Sequence, residues 1–312
     1  MNLWDEAEKI TLLGVETYRF GCFVALGLVA AAAVIAFLSW AKRCKKGTAP
    51  LLTLCCMVLG GVCSRIGFCL MNQELGDSMP LGTWLQITGG GWSMIGLVGG
   101  AFLASLVTAA LTRQKTAEMA DITAVALPIF MVAERLGEGS IPDFDVSRAL
   151  ENDFLKGSFL AFTDLYDDAY LATYRLAAIC MGILFAVLLA DMIRGKKHGD
   201  TAALFLILYG AMTVILESLR YDRFLSITFV HLEQVLAAVV MLIGILLAGR
   251  GTRKKKLRVA AVIAMFLAAG IAVGLEFALD RTTWNRILIY GVYVVVMAIP
   301  AVMGILLRKQ RA

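Results

Sequence analysis

The sequence predicts an all-α fold: a polytopic integral membrane helical bundle of about nine transmembrane helices, with its N-terminus outside and its C-terminus inside. Sixty per cent of the 312 residues are hydrophobic, against roughly 45–50% in ordinary soluble domains. The apolar runs are continuous over about 20 residues, the length a helix needs to cross a bilayer. Backbone polar groups have no water to bind within lipid, so such runs must be helices and not open strands.

Nine apolar runs follow one another along the chain. They cover residues 21–40, 51–71, 92–111, 122–132, 176–193, 202–219, 230–248, 259–279 and 287–307. The fourth run is too short to span a bilayer unless its helix begins earlier than the run does.

The basic residues predict the orientation, because Lys and Arg accumulate in short cytoplasmic loops. More than half of the 29 basic residues follow the odd-numbered runs. These are Lys42, Arg43, Lys45 and Lys46, then Arg113 and Lys115, then Arg194, Lys196 and Lys197, then the cluster 250–258, then Arg308, Lys309 and Arg311. This loop bias accounts for the net charge of +5, so no nucleic-acid partner is expected.

The long segment 138–170 lies on the outer side in this topology. It is rich in acids, namely Glu138, Asp143, Asp145, Glu151, Asp153, Asp164, Asp167 and Asp168, and it contains several aromatic residues. We expect a small folded cap, with a solvated loop as the alternative. Residues 1–19 lack the pattern of a cleavable signal and suggest an amphipathic helix on the outer surface.

Cysteine and histidine offer little for metal chemistry. The seven cysteines lie in apolar runs or in the first cytoplasmic loop, without a C-x-x-C pair, and the chain has only two histidines. Neither a metal nor another cofactor is expected.

Charged residues at one membrane level predict the functional site. Arg65 lies inside the second apolar run, where a charge is costly and is a functional-site hypothesis by default. Other polar side chains end or begin the fourth to seventh runs on the outer side: Glu134, Arg135, Arg175, Glu217, Arg220, Glu233 and Gln234. Arginine forks bind phosphate well, so we expect a phospholipid headgroup there. A simple ion pair between Glu217 and Arg220, three residues apart, is the alternative for those two.

A glycine-rich stretch, residues 89–100, opens the third run and includes Gly90, Gly91, Ser93 and Gly96. Small residues permit close helix packing. The free backbone N–H groups of such a helix start also attract anions. Both interpretations are open from the sequence.

The order of these features resembles the prolipoprotein diacylglyceryl transferases of the bacterial plasma membrane. The matching motifs are Phe20-Gly21, Gly61-x-x-x-Arg65, Gly90-Gly91-Trp92-Ser93-x-x-Gly96, Glu134-Arg135-Leu136-Gly137-Glu138, and Tyr209-Gly210 with Glu217-x-x-Arg220, followed by Gln234. The resemblance implies transfer of diacylglycerol from phosphatidylglycerol to the thiol of a prolipoprotein signal-peptide cysteine at the outer leaflet. It implies catalytic roles for Arg135, Glu138, Glu217 and Arg220, and substrate binding by Arg65, Gly90, Gly91, Ser93, Gly96, Gly137 and Gln234.

The chain departs from this family at several motif positions. Among them, Phe20 replaces a tyrosine, Ile95 a histidine, Glu138 an asparagine and Thr213 an arginine. The domain expectation is a transferase-like membrane domain over residues 1–250, with its cap at 138–170, and an extra C-terminal transmembrane hairpin over 257–312. A non-catalytic phospholipid-binding or lipid-translocating protein that retains the headgroup pocket is the alternative function.

Overall fold

The computed structural model describes residues 8–12, 14–71, 84, 91–141, 146–150, 153–163, 168–194, 197–220, 226–227, 230–252, 254–282 and 284–310. The chain forms two compact units. Unit 1 comprises Met1–Ala190 with Leu219–Arg223, and unit 2 comprises Asp191–Ser218 with Phe224–Ala312.

Unit 1 is built on long apolar helices. They are α1 (Arg19–Ala41), α2 (Thr48–Met71), α3 (Met94–Thr112), α4 (Thr116–Glu138) and, after the short α5 (Asp153–Lys156), α6 (Thr173–Ile193), which belongs to this unit up to Ala190. Helix α2 packs mainly against α3, and α1 packs mainly against α4. The α2–α3 contact is close because Gly96 and Gly100 of α3 face the α2 backbone at Cys63 and Leu59, where a Cβ atom would not fit.

Helix α4 is much longer than the apolar run from which it was predicted. It extends over 23 residues, well beyond the apolar run at 122–132. Its extra turns carry polar residues that are buried inside the protein, including Asp121, Glu134 and Glu138. Hydropathy underestimates this helix because most of its surface faces protein and not lipid.

Short strands flank the helices of unit 1. β1 (Lys9–Leu12) and β2 (Val15–Tyr18) form an antiparallel hairpin. The amphipathic helix expected over residues 1–19 is therefore wrong for residues 9–18, whereas residues 1–7 lie outside the described part of the chain. The β-branched and aromatic residues of this stretch favour strands, and Gly14 between them has a φ of +83°, which suits a turn.

The segment 138–170 contains strands of a small antiparallel sheet. β3 (Val146–Ala149), β4 (Ala161–Thr163) and β5 (Ala169–Ala172) form this sheet in the order β3-β5-β4. Arg175 of α6 donates hydrogen bonds to the carbonyl oxygens of Phe159 and Ala161 at 2.7 and 3.1 Å. The sheet is thus attached to the start of α6. Glu138 itself is the last residue of α4.

Unit 2 contains the remaining long helices and a two-stranded ladder. The helices are α7 (Asp200–Leu219), α8 (Leu232–Ala248), α9 (Lys255–Arg281) and α10 (Arg286–Lys309), and β6 (Ser226–Ile227) pairs with β7 (Val230–His231). Helices α9 and α10 pack on each other and on α8. At the end of α10, Arg308 forms a buried bidentate ion pair with Asp191, with N···O distances of 2.6 and 2.8 Å.

Eight of the described helices are long and apolar enough to span a membrane, and α8, with 17 residues, is slightly shorter. These eight are α1, α2, α3, α4, α6, α7, α9 and α10. The predicted polytopic helical membrane protein is thereby confirmed.

Candidate functional site

Arg65 is held where α2 meets the start of α3. Its side chain is buried, with the residue only 7% exposed. Its guanidinium donates to the carbonyl oxygen of Gly91 at 2.9 Å and lies 5.5 Å from the ring centroid of Phe68. A cation over an aromatic face is attracted by the ring quadrupole. The protein therefore holds this buried charge with specific contacts.

The glycine-rich stretch is organised around Ser93 and Gly91. The Ser93 hydroxyl caps α3 by accepting a hydrogen bond from the Gly96 amide at 3.2 Å. The Ser93 backbone N–H donates to the carbonyl oxygen of Ser64 in α2, and the Ser64 hydroxyl donates to the carbonyl oxygen of Ser93. Gly91 has a φ of +83°, and a side chain there would collide with the Phe68 ring. These contacts give Gly91, Ser93 and Gly96 a role in shaping the corner next to Arg65. Gly90 lies outside the described residues.

Arg135 near the end of α4 stands between two carboxylates. Its Nη1 atom is 2.8 and 3.0 Å from the two carboxylate oxygens of Glu138, and its Nε atom is 3.7 Å from Glu134. The Arg135 and Glu138 side chains are only 12% and 8% exposed. One turn of helix brings the pair together, and Gly137 beside them packs against Phe20 and Phe23 of α1. Three charged side chains are thus brought together, largely buried, at the end of α4.

A cavity of about 340 Å³ lies between α1, α2, α3 and α4. Its walls are predominantly apolar, from Ile35 and Ala32 of α1 to Leu97 of α3 and Phe130 of α4. Ser64 and Glu134 also line it, and they are the chain neighbours of Arg65 and Arg135. The cavity therefore combines a predominantly apolar interior with the Glu134 carboxylate in its wall, a combination that suits an amphiphilic ligand.

The remaining predicted site residues divide between the two units. Glu217 near the end of α7 and Gln234 in the first turn of α8 are buried in unit 2. Arg220 is also buried but belongs to unit 1. The ion pair between Glu217 and Arg220 stays a prediction.

The positions that depart from the family pattern lie inside the helices. Ile95 is partly buried in the first turn of α3, and Thr213 is buried in α7. Neither side chain titrates, so neither can replace the group that the resemblance expects there. No cluster of three or more potential metal-ligating side chains is found within the described ranges.

Sequence reasoning missed Glu276 of α9 and its partner Tyr293 of α10. Glu276 is buried and accepts hydrogen bonds from Gln234 at 2.7 Å and from the Tyr293 hydroxyl at 3.1 Å. The available signal was an acid inside the eighth apolar run, of the same kind as Arg65 in the second.

A protein-family model described as prolipoprotein diacylglyceryl transferase matches residues 8–249. This chain belongs to that family. Among curated proteins, the phosphatidylglycerol–prolipoprotein diacylglyceryl transferase of Symbiobacterium thermophilum is 26% identical over 171 residues, covering 52% of this chain and 62% of that protein. The protein of the same name from Streptococcus sanguinis SK36 is 24% identical over 169 residues, covering 50% and 61%. The matched part thus spans only about three-fifths of each relative. The α9–α10 hairpin lies outside the family match.

Proposed function

We propose that this protein is a transferase that moves diacylglycerol from phosphatidylglycerol to the thiol of a cysteine in a prolipoprotein signal peptide. Both named relatives carry this donor and this acceptor in their names. Membership of the family favours this activity over a non-catalytic lipid-binding or lipid-translocating role.

The observation that carries the proposal is the cavity of unit 1. Its apolar interior of about 340 Å³ suits part of the acyl tails of a phospholipid, and Glu134 in its wall belongs to the charge cluster of Arg135. Arg65 follows Ser64, another wall residue, and is held by Gly91 and Phe68. A lipid whose tails enter this cavity would have its phosphate near the two arginines, whose guanidinium groups suit phosphate oxygens.

The chemistry is a displacement at the glyceryl carbon. The cysteine sulfur forms a bond to the terminal glyceryl carbon of the diacylglycerol, and the bond from that carbon to the phosphate oxygen breaks. Glycerol phosphate leaves with the electron pair, while the thiol proton passes to a base. Arg65, Arg135 and Arg220 stabilise the charge that grows on the phosphate, an effect that is often the largest single contribution to catalysis.

For the base we propose Glu138. It is the acid nearest to Arg135, and burial beside that guanidinium keeps it close to the charge that develops in the reaction. Glu233 and His231 at the start of α8 are the alternatives for the base. Glu217 would orient Arg220, and Gln234 would bind the headgroup. The glycines Gly90, Gly91, Gly96 and Gly137, with Ser93, would shape the substrate-binding wall. No metal or other cofactor takes part in the reaction as proposed.

The protein would be a multi-pass protein of the bacterial plasma (inner) membrane, in which α8 also spans the bilayer and brings the count to nine, with the N-terminus outside and the C-terminus inside. Residues 1–250 would form the transferase domain, with an extracytoplasmic cap at 138–170, and 257–312 an added hairpin. This orientation brings Arg65 and Arg135 to the outer leaflet, where a signal-peptide cysteine is accessible.

Complementation tests the function directly. The protein is expressed in a bacterium depleted of its own diacylglyceryl transferase, and the mass of a reporter lipoprotein is measured. We expect the mass of one diacylglycerol to be added, and none with the Arg135→Ala variant at equal abundance in the membrane. An unmodified reporter in cells that contain the inserted protein would contradict the proposal, provided that purified protein also fails with phosphatidylglycerol vesicles and a signal-peptide substrate.

A further inference from the structure

The α9–α10 hairpin contributes a buried carboxylate to the surroundings of Gln234. Glu276 lies near the end of α9, in an apolar helix of unit 2, and the residue is 8% exposed. A carboxylate in such a helix is expensive and is a functional-site hypothesis by default. Gln234 of α8 and Tyr293 of α10 both donate hydrogen bonds to the same oxygen of Glu276, Oε1.

The hydrogen bonds of Gln234 determine the orientation of its amide. Its Nε2 donates to Glu276 at 2.7 Å and to the carbonyl oxygen of Val214 at 3.3 Å. Its Oε1 accepts from the backbone amide of His231 at 2.9 Å. An amide nitrogen carries two hydrogens and an amide oxygen two lone pairs. Both donors are therefore used within the protein, and with respect to the described residues one lone pair of the oxygen is left.

Packing of the α9–α10 hairpin against the rest of unit 2 does not by itself require Glu276. Arg308 of α10 already forms the buried bidentate pair with Asp191, and Thr201 donates to the same carboxylate at 3.0 Å. The Tyr290 hydroxyl donates to the carbonyl oxygen of Ser218 at 3.0 Å. These contacts attach α10 to the rest of unit 2 without an acid in α9. Glu276 adds to these contacts a hydrogen bond with the Gln234 amide.

We infer that Glu276 is a positioning residue that orients the Gln234 amide, so that Gln234 meets the lipid headgroup as a hydrogen-bond acceptor. Since its N–H groups are occupied, Gln234 offers its oxygen to a hydroxyl and not a donor to the phosphate. The glycerol hydroxyls of the headgroup are such donors. The hairpin outside the family match thereby takes part in headgroup selection. This inference rests on the proposed function, in which Gln234 binds the headgroup.

The test compares Glu276→Leu with Glu276→Gln. Leucine leaves the Gln234 N–H without its acceptor, whereas the glutamine oxygen can still accept it. Tyr290→Phe is the matched control, because it removes a hydrogen bond of the same hairpin without touching Gln234. Each variant of the full-length protein is purified, and its thermal midpoint, its kcat and its KM for phosphatidylglycerol are measured in vesicles. Native mass spectrometry gives its preference for phosphatidylglycerol over phosphatidic acid, which lacks the glycerol hydroxyls.

For Glu276→Leu we expect the KM for phosphatidylglycerol to rise about 5- to 10-fold, as for the loss of one hydrogen bond between neutral groups. The preference over phosphatidic acid should fall by a similar factor. Glu276→Gln should stay within about threefold of the parent, since it retains the acceptor. Tyr290→Phe should leave both quantities unchanged. A double variant of Glu276→Leu with Gln234→Ala should be no worse than the more affected single variant, because both changes remove one headgroup contact.

Other results would overturn the inference. One is a Glu276→Leu variant with the parent's lipid preference. Another is a Glu276→Gln variant that is as impaired as Glu276→Leu. A third is a loss of lipid preference that follows the fall in thermal midpoint in every variant, Tyr290→Phe included. A parent protein without transfer activity would instead refute the proposed function. The lipid preference measured by mass spectrometry would still decide the role of Glu276.

Discussion

Replacing Arg135 by leucine tests two proposed roles of the charge cluster of α4, one in the stability of the fold and one in the transfer reaction. The Arg135 guanidinium is 2.8 Å from Glu138 and 3.7 Å from Glu134, and all three side chains are largely shielded from solvent. Arg135→Leu leaves two buried carboxylates without this cation. Removing one partner of a buried ion pair typically costs about 3–5 kcal/mol. The single variant should therefore be both inactive and clearly less stable.

A second substitution distinguishes the loss of charge from the loss of fold. In the double variant Arg135→Leu with Glu138→Leu, one unpaired carboxylate is removed, and replacing a buried pair by apolar side chains is often neutral. We expect most of the lost stability to return. Transfer should stay at least about 100- to 1,000-fold below the parent, because the proposed charge-stabilising donor, Arg135, and the proposed base, Glu138, are both absent.

The assay uses purified protein in phosphatidylglycerol vesicles with a fluorescent signal-peptide substrate, and thermal midpoints are measured in the same vesicles. Initial rates are compared at a temperature at which every variant is folded. A double variant with near-parent activity would refute the catalytic role of the cluster. A stable Arg135→Leu variant would refute the argument that its ion pairs are buried and structural.

Three further predictions concern the departures from the family pattern, the cap and the topology. The double variant Ile95→His with Thr213→Arg should increase the transfer rate over the parent, since it returns an imidazole and a guanidinium, and a parent that already complements fully would contradict this. Deleting residues 143–168 should raise the KM for the signal peptide without weakening phosphatidylglycerol binding, because the acidic cap suits a basic peptide segment. An equal loss of both would refute the docking role. In a background without other cysteines, Cys44 should react with a membrane-impermeant maleimide only after the membrane is opened, whereas Thr163→Cys in β4 should react in intact cells. Burial raises the pKa of the Cys44 thiol, so its labelling should accelerate as the pH rises and more thiolate forms.

Part of the site could be predicted because single residues carry their own signal. Arg65 stands out since a charge inside an apolar run is rare, and Arg135 and Glu138 are three residues apart, so one helical turn brings them together. The cavity of unit 1 had no such signal. Its walls come from four helices, and which apolar side chains face it depends on how those helices pack.

The sequence by itself determined the class of the protein, because lipid requires long apolar helices and hydropathy reports this requirement residue by residue. It also determined the family, through motifs that are local in the chain. Only the tertiary structure decided that α4 is a full-length buried helix, and that Glu276 meets Gln234, 42 residues away in the chain. Hydropathy measures the preference for lipid and cannot distinguish a polar residue in water from one that faces a partner inside the protein. Such pairs between distant segments become visible only when the helices are packed together.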